Sequence, residues 1–488
     1  MLVLSPLLVP LATALLLALL YHRPAVVRRA VSLAGALLFL LCAGLLVAEV
    51  QNAGRLSVAL GGWPLPYAIE FAADRLGAAM LLVSAVLAVA TVLYQFGAAD
   101  PAPETPILHP LLHGLLAAVG AACVAADLFN LYVWFELMLI AALGLLVHGG
   151  EPRQLDAAFK YLVLNLVGTL LLLIAVASIY GVAGQLNFAA LREAAGRPEI
   201  AAALPVPLTL LALALLLKAG AFPLFFWLPA SYHALPAPVL ALFGGLLTKV
   251  GIYALLRLLG DVFAAAPAPL YQALGWLAVA TMVIGVLGAA YHWDLRRILA
   301  FHIVSQIGYL LLGIALASPA GAAGTLFFAL HNMLAKANLF LVAGLIWLLA
   351  GHYDLRRVGG LYAARPGLAA LFLITAFSLV GVPPSSGFWA KFMLLRETFA
   401  QGLWLWGGVA LAVSLLTLYS MAKIWLEAFW KPHPEGRVIE SATAGQGAAY
   451  WAIVLLAALT LAMGLAPEPL IRYVEAATAS FGASGAMP

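Results

Sequence analysis

The chain has 488 residues, of which 65% are hydrophobic and 9% charged, with mean hydropathy +1.07; ordinary soluble domains carry roughly 25% charged residues. A soluble enzyme, a disordered chain and a nucleic-acid binder are excluded, and the net charge of +4 is scattered over short loops with no basic cluster for nucleic acid or anionic lipid. What remains is an integral membrane protein embedded along its whole length.

About 20 apolar residues cross a bilayer as a helix, and loop signals divide the sequence into about 14 such segments. They are predicted near 2–21, 30–49, 76–96, 107–126, 128–148, 158–181, 203–222, 237–259, 268–290, 297–317, 322–349, 366–400, 403–430 and 446–466. The first is apolar from Met1, lacks a basic leader and has no small-residue cleavage motif, so it reads as a span and not a removed signal. Cys42 and Cys123 lie inside apolar runs without ligand or disulfide spacing and read as small core residues.

With the first loop placed in the cytoplasm, 13 loop Lys and Arg residues fall on that side, among them Arg28, Lys423 and Arg437. The other side receives 7, Arg257 among them. The excess predicts both termini outside. Four basic residues remain, Lys218, Lys249, Lys336 and Lys391, all inside predicted spans, and among the acids only Glu136 is equally deep. An ionisable group at membrane depth costs at least a few kcal/mol, about 3 on insertion scales, so it should pair, face water or do work. One carboxylate cannot neutralise four ammonium groups.

Two spans carry prolines close to a deep lysine: Lys218-Ala-Gly-Ala-Phe-Pro223 and Val380-Gly-Val-Pro383-Pro384, the latter leading to Lys391. Proline removes a helix donor, freeing carbonyls of Ala219, Leu379 and Val380; within a membrane such groups should be buried in protein or line a hydrated cavity. The breaks are five predicted spans apart, which puts the two segments in opposite orientations, the mark of an inverted repeat with a site near the midplane.

Glu136 sits mid-span, with Lys218 as its candidate partner; an ion pair there would couple charge separation to proton uptake and release. Lys249 offers a central site. His302 and His331 follow, with Ser305, Gln306 and Asn332 as polar company for bridging water, and histidine passes a proton readily near neutral pH. His22, His109, His113, His148, His233, His292, His352 and His433 read as residues of loops or span ends. Neither a metal site nor a sodium cage is expected, since ligand spacing and oxygen donors are lacking. No glycine-rich phosphate loop, cysteine cluster or haem motif appears, so no cofactor is expected.

These residues, in Asp127-Leu-Phe-Asn-Leu-Tyr-Val-Trp-Phe-Glu136, Phe222-Pro-Leu-Phe-Phe-Trp-Leu-Pro-Ala-Ser-Tyr232, Thr248-Lys-Val-Gly-Ile-Tyr253, His331-Asn-Met-Leu-Ala-Lys336 and Gly381-Val-Pro-Pro-Ser-Ser-Gly-Phe-Trp-Ala-Lys391, closely resemble the D-type membrane subunits of the Mrp-type multisubunit Na⁺/H⁺ antiporters. That family lies within the wider group of antiporter-like subunits of respiratory complex I and membrane-bound hydrogenases. The resemblance implies an all-α polytopic fold of about 14 transmembrane helices, with two inverted five-helix repeats and two proline-broken helices. The corresponding divisions are 1–106, 107–260, 261–430 and 431–488. It also implies that Glu136 and Lys218 form a coupling ion pair, Lys249 is a central relay, His302, His331 and Lys336 continue the path, and Lys391 ends it. The complex I relative in the middle of that pump has a glutamate where Lys391 stands, and the larger members have C-terminal extensions, which a chain stopping soon after its last span would lack.

The leading expectation is therefore a proton-translocating, non-enzymatic subunit of a multisubunit Na⁺(K⁺)/H⁺ antiporter in the plasma membrane, with other membrane subunits and the lipid bilayer as partners. A proton-pumping subunit of complex I or a membrane hydrogenase is the redox-driven alternative. A passive scaffold is the third.

Overall fold

The computed structural model describes residues 1–97, 104–264, 266–436 and 446–481. Arg437 lies outside the described residues. In chain order the elements are α1 (Ser5–Leu19), α2 (Ala25–Ala53), β1 (Arg55–Leu60), β2 (Ile69–Asp74), α3 (Arg75–Gly97), α4 (Leu108–Val124), α5 (Leu128–Val147), α6 (Pro152–Ala183), α7 (Phe188–Ala195), α8 (Pro198–Ala203), α9 (Pro205–Ala219), α10 (Trp227–Ser231), α11 (Ala237–Arg257), α12 (Ala268–Tyr291), α13 (Leu295–Ala315), α14 (Pro319–Ala350), α15 (Leu361–Ala364), α16 (Pro366–Val380), α17 (Ser386–Ala400), α18 (Trp404–Ile424), α19 (Gly447–Leu465) and α20 (Glu468–Thr478). Among the described residues, 11 helices are long and apolar enough to cross a membrane, and α4, α9 and α16 are shorter apolar helices. The fold is polytopic and helical, as expected, and each predicted span falls on one or two of these helices.

Local chemistry sets the ends. Asp127 caps α5 by accepting from the Asn130 N–H at 2.8 Å, Asp294 caps α13, and Ser318 caps α14. Proline opens α6, α9, α14 and α16, where a missing N–H is harmless. Both expected breaks are present. α9 stops at Gly220 (φ +78°) and resumes as α10; α16 stops at Gly381 (φ +91°) and resumes as α17. Left-handed backbone of this kind suits glycine.

The apolar residues sort into a centre and a rim. Every residue of α11 from Val239 to Arg257, of α13 from His302 to Ala315, and of α14 from Gly321 to Ile346 is buried. α14 packs against α3, α11, α13, α16, α17, α19 and α20. By contrast α2 exposes Leu37, Leu41 and Leu45, α6 exposes Phe159, Val163 and Leu170, and α18 exposes Leu411 and Leu415, a surface suited to acyl chains.

Residues 55–74 form an antiparallel hairpin, with Arg55 opposite Asp74 and Leu60 opposite Ile69. Its β2 strand buries Glu70, which takes hydrogen bonds from Arg55 (3.1 Å) and Asn187 (2.8 Å). Glu136 is therefore not alone among acids in being shielded, but Glu70 is paired at a helix-end layer.

Candidate functional site

The four deep lysines stand on α9, α11, α14 and α17. Lys249 and Lys336 have no exposed surface, and Lys391 and Lys218 are 4% and 6% exposed. Lys218 donates to the Asn165 carbonyl (3.1 Å) and to Thr169 Oγ1 (2.7 Å), both on α6. Glu136, half-buried on α5, lies within its electrostatic reach. No ion pair joins Glu136 to Lys218 among the described residues, and Glu136 Oε1 has no hydrogen-bond partner. The expected direct pair is therefore an open one here, because α6 supplies neutral oxygens to the ammonium.

Lys249 donates to the carbonyl of Gly244 on its own helix (2.6 Å). α9 and α11 touch between the two lysines: a Cβ on Gly251 would stand 2.9 Å from the Ala219 nitrogen, so only glycine permits this approach. Lys336 Nζ has no hydrogen-bond partner. Lys249 and Lys391 both lie within its electrostatic reach, and Lys336 and Lys391 act likewise on His302 and His331. The structure thus brings Lys249, His302, His331, Lys336 and Lys391 into one buried group, with Glu136 and Lys218 as a second group beside it.

At the second break, Lys391 Nζ donates to the Val380 carbonyl (2.7 Å) and to Ser414 Oγ (3.0 Å), and stands 4.9 Å from the centre of the Tyr309 ring. The carbonyl freed by Pro384 is therefore taken by the lysine itself and not left to a hydrated cavity. At the first break, Trp227 Nε1 donates to the Leu217 carbonyl (3.0 Å). His331 Nδ1 meets Ser386 Oγ (2.9 Å), which meets Ser378 Oγ (2.9 Å). His302 Nε2 meets Ser420 Oγ (2.9 Å).

Sequence reasoning missed Thr169, Tyr309, Ser378, Ser386, Ser414 and Ser420. A hydroxyl inside an apolar span usually bonds to its own helix, and nothing in a single sequence tells which will turn to a neighbour. On α11, α13 and α14, Thr248 Oγ1, His302 Nδ1 and both amide atoms of Gln306 and of Asn332 are, like Lys336 Nζ, buried without a protein partner. Unsatisfied polar atoms are costly in a membrane interior, and such donors and acceptors are suited to hold water.

Several residues read as loop charges are buried. His109 and His113 have no exposed surface; both meet Ser32 Oγ (3.0 and 2.9 Å), and His109 reaches Glu104 (3.3 Å). Glu104 also pairs with Arg29 (2.6 Å) and Arg28. Burial raises its carboxyl, yet the hydrogen bonds from His109 and Arg29 prevail and hold it at about 2. Arg257 is buried against Asp74, Asp261 and the Tyr253 ring. Against the pull of burial, that guanidinium keeps the Asp74 carboxyl below its ordinary value. Lys423 is 9% exposed, its Nζ on the carbonyls of Ala290 and His292, both at 2.7 Å.

The chain resembles known proteins along nearly its whole length. The chain is 39% identical over 474 residues, 97% of its length and 95% of the relative's, to a protein of Alkalihalophilus pseudofirmus named as the D subunit of a Na(+)/H(+) antiporter. A chain in the structure of the Mrp complex from Dietzia sp. matches with TM-score 0.88 and 31% identity, covering 99% of this chain and 97% of that one. One in respiratory complex I from Thermus thermophilus with bound NADH matches with TM-score 0.85 and 26% identity, covering 98% and 99%. The family model described as NADH:quinone oxidoreductase/Mrp antiporter, transmembrane, covers residues 125–417, a stretch running from the cap of α5 to α18 and holding all seven deep ionisable residues. With its broken helices and buried lysine line inside that stretch, the chain belongs to the NADH:quinone oxidoreductase/Mrp antiporter family of membrane subunits.

Proposed function

We propose that this chain is the proton-translocating D-type subunit of a multisubunit monovalent cation/proton antiporter. It is a transporter subunit and not a catalytic enzyme, and it works in the plasma membrane beside other membrane subunits. The observation that carries the reading is the buried group of Lys249, Lys336, Lys391, His302 and His331 on α11, α13, α14 and α17, next to Glu136 and Lys218. A proton moves along such a line because each added charge raises the energy of its neighbours, so occupation of one site drives release from the next. Glu136 and Lys218 form the coupling element, closing into contact in one state and parted in another. Lys249 and Lys336 relay, His302 and His331 pass protons through their serine partners, and Lys391 terminates the path.

The line is held by two inverted repeats, 107–260 and 261–430, flanked by 1–106 and 431–488, with both termini outside. Support comes from a matched pair of bridges: Asp127 with Asn187, and Asp294 with Asp354, each begun by a helix-capping aspartate and equally displaced along the chain. An odd number of crossings between them gives the opposite sense. A redox-driven pumping role, favoured by the likeness to complex I, is the second reading; the higher identity to the antiporter relative weighs against it.

The test is Na⁺-dependent proton flux from the reconstituted complex. Lys218→Ala and Glu136→Ala should each abolish flux at normal assembly. Flux surviving both changes would show that the protons take another route.

A further inference from the structure

A line of relays needs a way in from water, and the lysines and histidines of this one are buried throughout. A cavity of about 740 Å³ opens at the face where α12 ends and α13 begins, lined among others by Arg153, His233, His292, Trp293, Arg297 and Asp354. Behind its His292–Trp293 wall lies Lys423 of α18, bonded to the His292 carbonyl and 5.1 Å from the centre of the Trp293 ring. One helical turn deeper on the same face of α18 is Ser420, fully buried, and Ser420 Oγ meets His302 Nε2 at 2.9 Å. Cβ atoms at this spacing are about 5–6 Å apart, so an extended lysine swung off its carbonyls can reach the hydroxyl.

Resting on the functional reading above, we propose that this cavity is the aqueous mouth of the proton path and that Lys423 carries protons from it, through Ser420, to His302. The Lys423 ammonium gives one proton to the Ser420 oxygen as that hydroxyl gives its own to His302 Nε2. His302 passes a proton inward from Nδ1, which has no protein partner, towards Lys336. The neutral Lys423 amine then takes a proton from solvent in the cavity, and reorientation of the His302 ring and the Ser420 hydroxyl returns the imidazole N–H to the inward side, so one proton enters per cycle. The groups facing Lys423 are Glu427 on its own helix, His292 and Trp293 from the α12–α13 connection, and His302 from α13. The plain structural alternative is that Lys423 only caps the end of α12 through the Ala290 and His292 carbonyls.

Arginine separates these two roles. Lys423→Arg keeps the charge and the donors but cannot release a proton at working pH. In the reconstituted complex this variant should assemble and melt as the parent does, yet lose Na⁺-driven proton flux by roughly tenfold or more. Full flux from Lys423→Arg, in a preparation where Lys218→Ala is dead, overturns the mouth and leaves the functional reading intact; full flux from both removes the functional reading itself. Should the arginine variant fail to assemble, Ser420→Ala decides, since it removes the hydroxyl between Lys423 and His302 and leaves both partners in place. Its Na⁺-driven proton flux should fall by roughly tenfold or more at unchanged melting temperature, and full flux from it overturns the proposal.

Discussion

At Lys336 an ammonium group sits with no exposed surface and no hydrogen-bond partner, one turn along α14 from an asparagine whose amide is equally unpaired. Such a residue is expensive to keep. Lys336→Met preserves volume and removes the buried charge, so thermal stability in detergent should rise, by about 1–4 kcal/mol on the scale of buried charges replaced by apolar groups, while flux falls. Lys391 should behave oppositely in stability: it satisfies the Val380 carbonyl, so Lys391→Met leaves a buried acceptor unpaired and should lower the melting temperature along with flux. A fluorescence melt of each variant beside its proton flux measures both signs. The sequence made these lysines conspicuous because charge at membrane depth is rare. It offered no view of Ser386, Ser414 or Ser420, whose hydroxyls are ordinary in composition and become functional through the helix each one faces.

At the scale of elements, the second broken helix depends on a contact that prolines alone do not reveal. Gly387, in the first turn of α17, lies so close to the end of α16 that a Cβ would stand 1.7 Å from the Ser378 carbonyl oxygen and 3.0 Å from His331 Nε2. Backbone on one side and an imidazole on the other leave nothing free to yield. Gly387→Ala should force α17 away from α16 and α14, destabilising the protein by about 3 kcal/mol or more and part His331 from Ser386; folded yield and melting temperature read this out. The places of both breaks were legible from Pro223, Pro383 and Pro384. What satisfies the freed carbonyls was not, since it depends on residues brought together by folding. The β1–β2 hairpin escaped notice for another reason: its strands are short, and β1 is largely exposed while β2 is mostly buried, so neither shows the sustained apolar–polar alternation that betrays a strand. Lys423, Arg28 and Arg257 were misplaced as loop charges because each lies near a span end, where one residue decides between solvent and packing.

For the whole molecule, the surplus of basic residues on one side predicts that reporters fused to either terminus report the outside. With Arg28, Arg257 and Lys423 buried, the charge difference rests on exposed residues such as Arg153, Arg356 and Arg357 on the expected inner face and Arg55, Arg192 and Arg197 on the other. A phosphatase fusion active at neither terminus would reverse the orientation. The central position of α14 has a further consequence, for synthesis. This helix leaves the ribosome before α16, α17 and α19, which later cover it, so the Lys336 ammonium must spend its first moments facing lipid or the insertion machinery. Its apolar flanks, Leu326–Leu330 and Leu339–Ile346, are what hold it in the bilayer during that wait. Insertion of α14 is thus provisional until the C-terminal third arrives, and a chain halted before α17 should be recognised by the cell as unfinished.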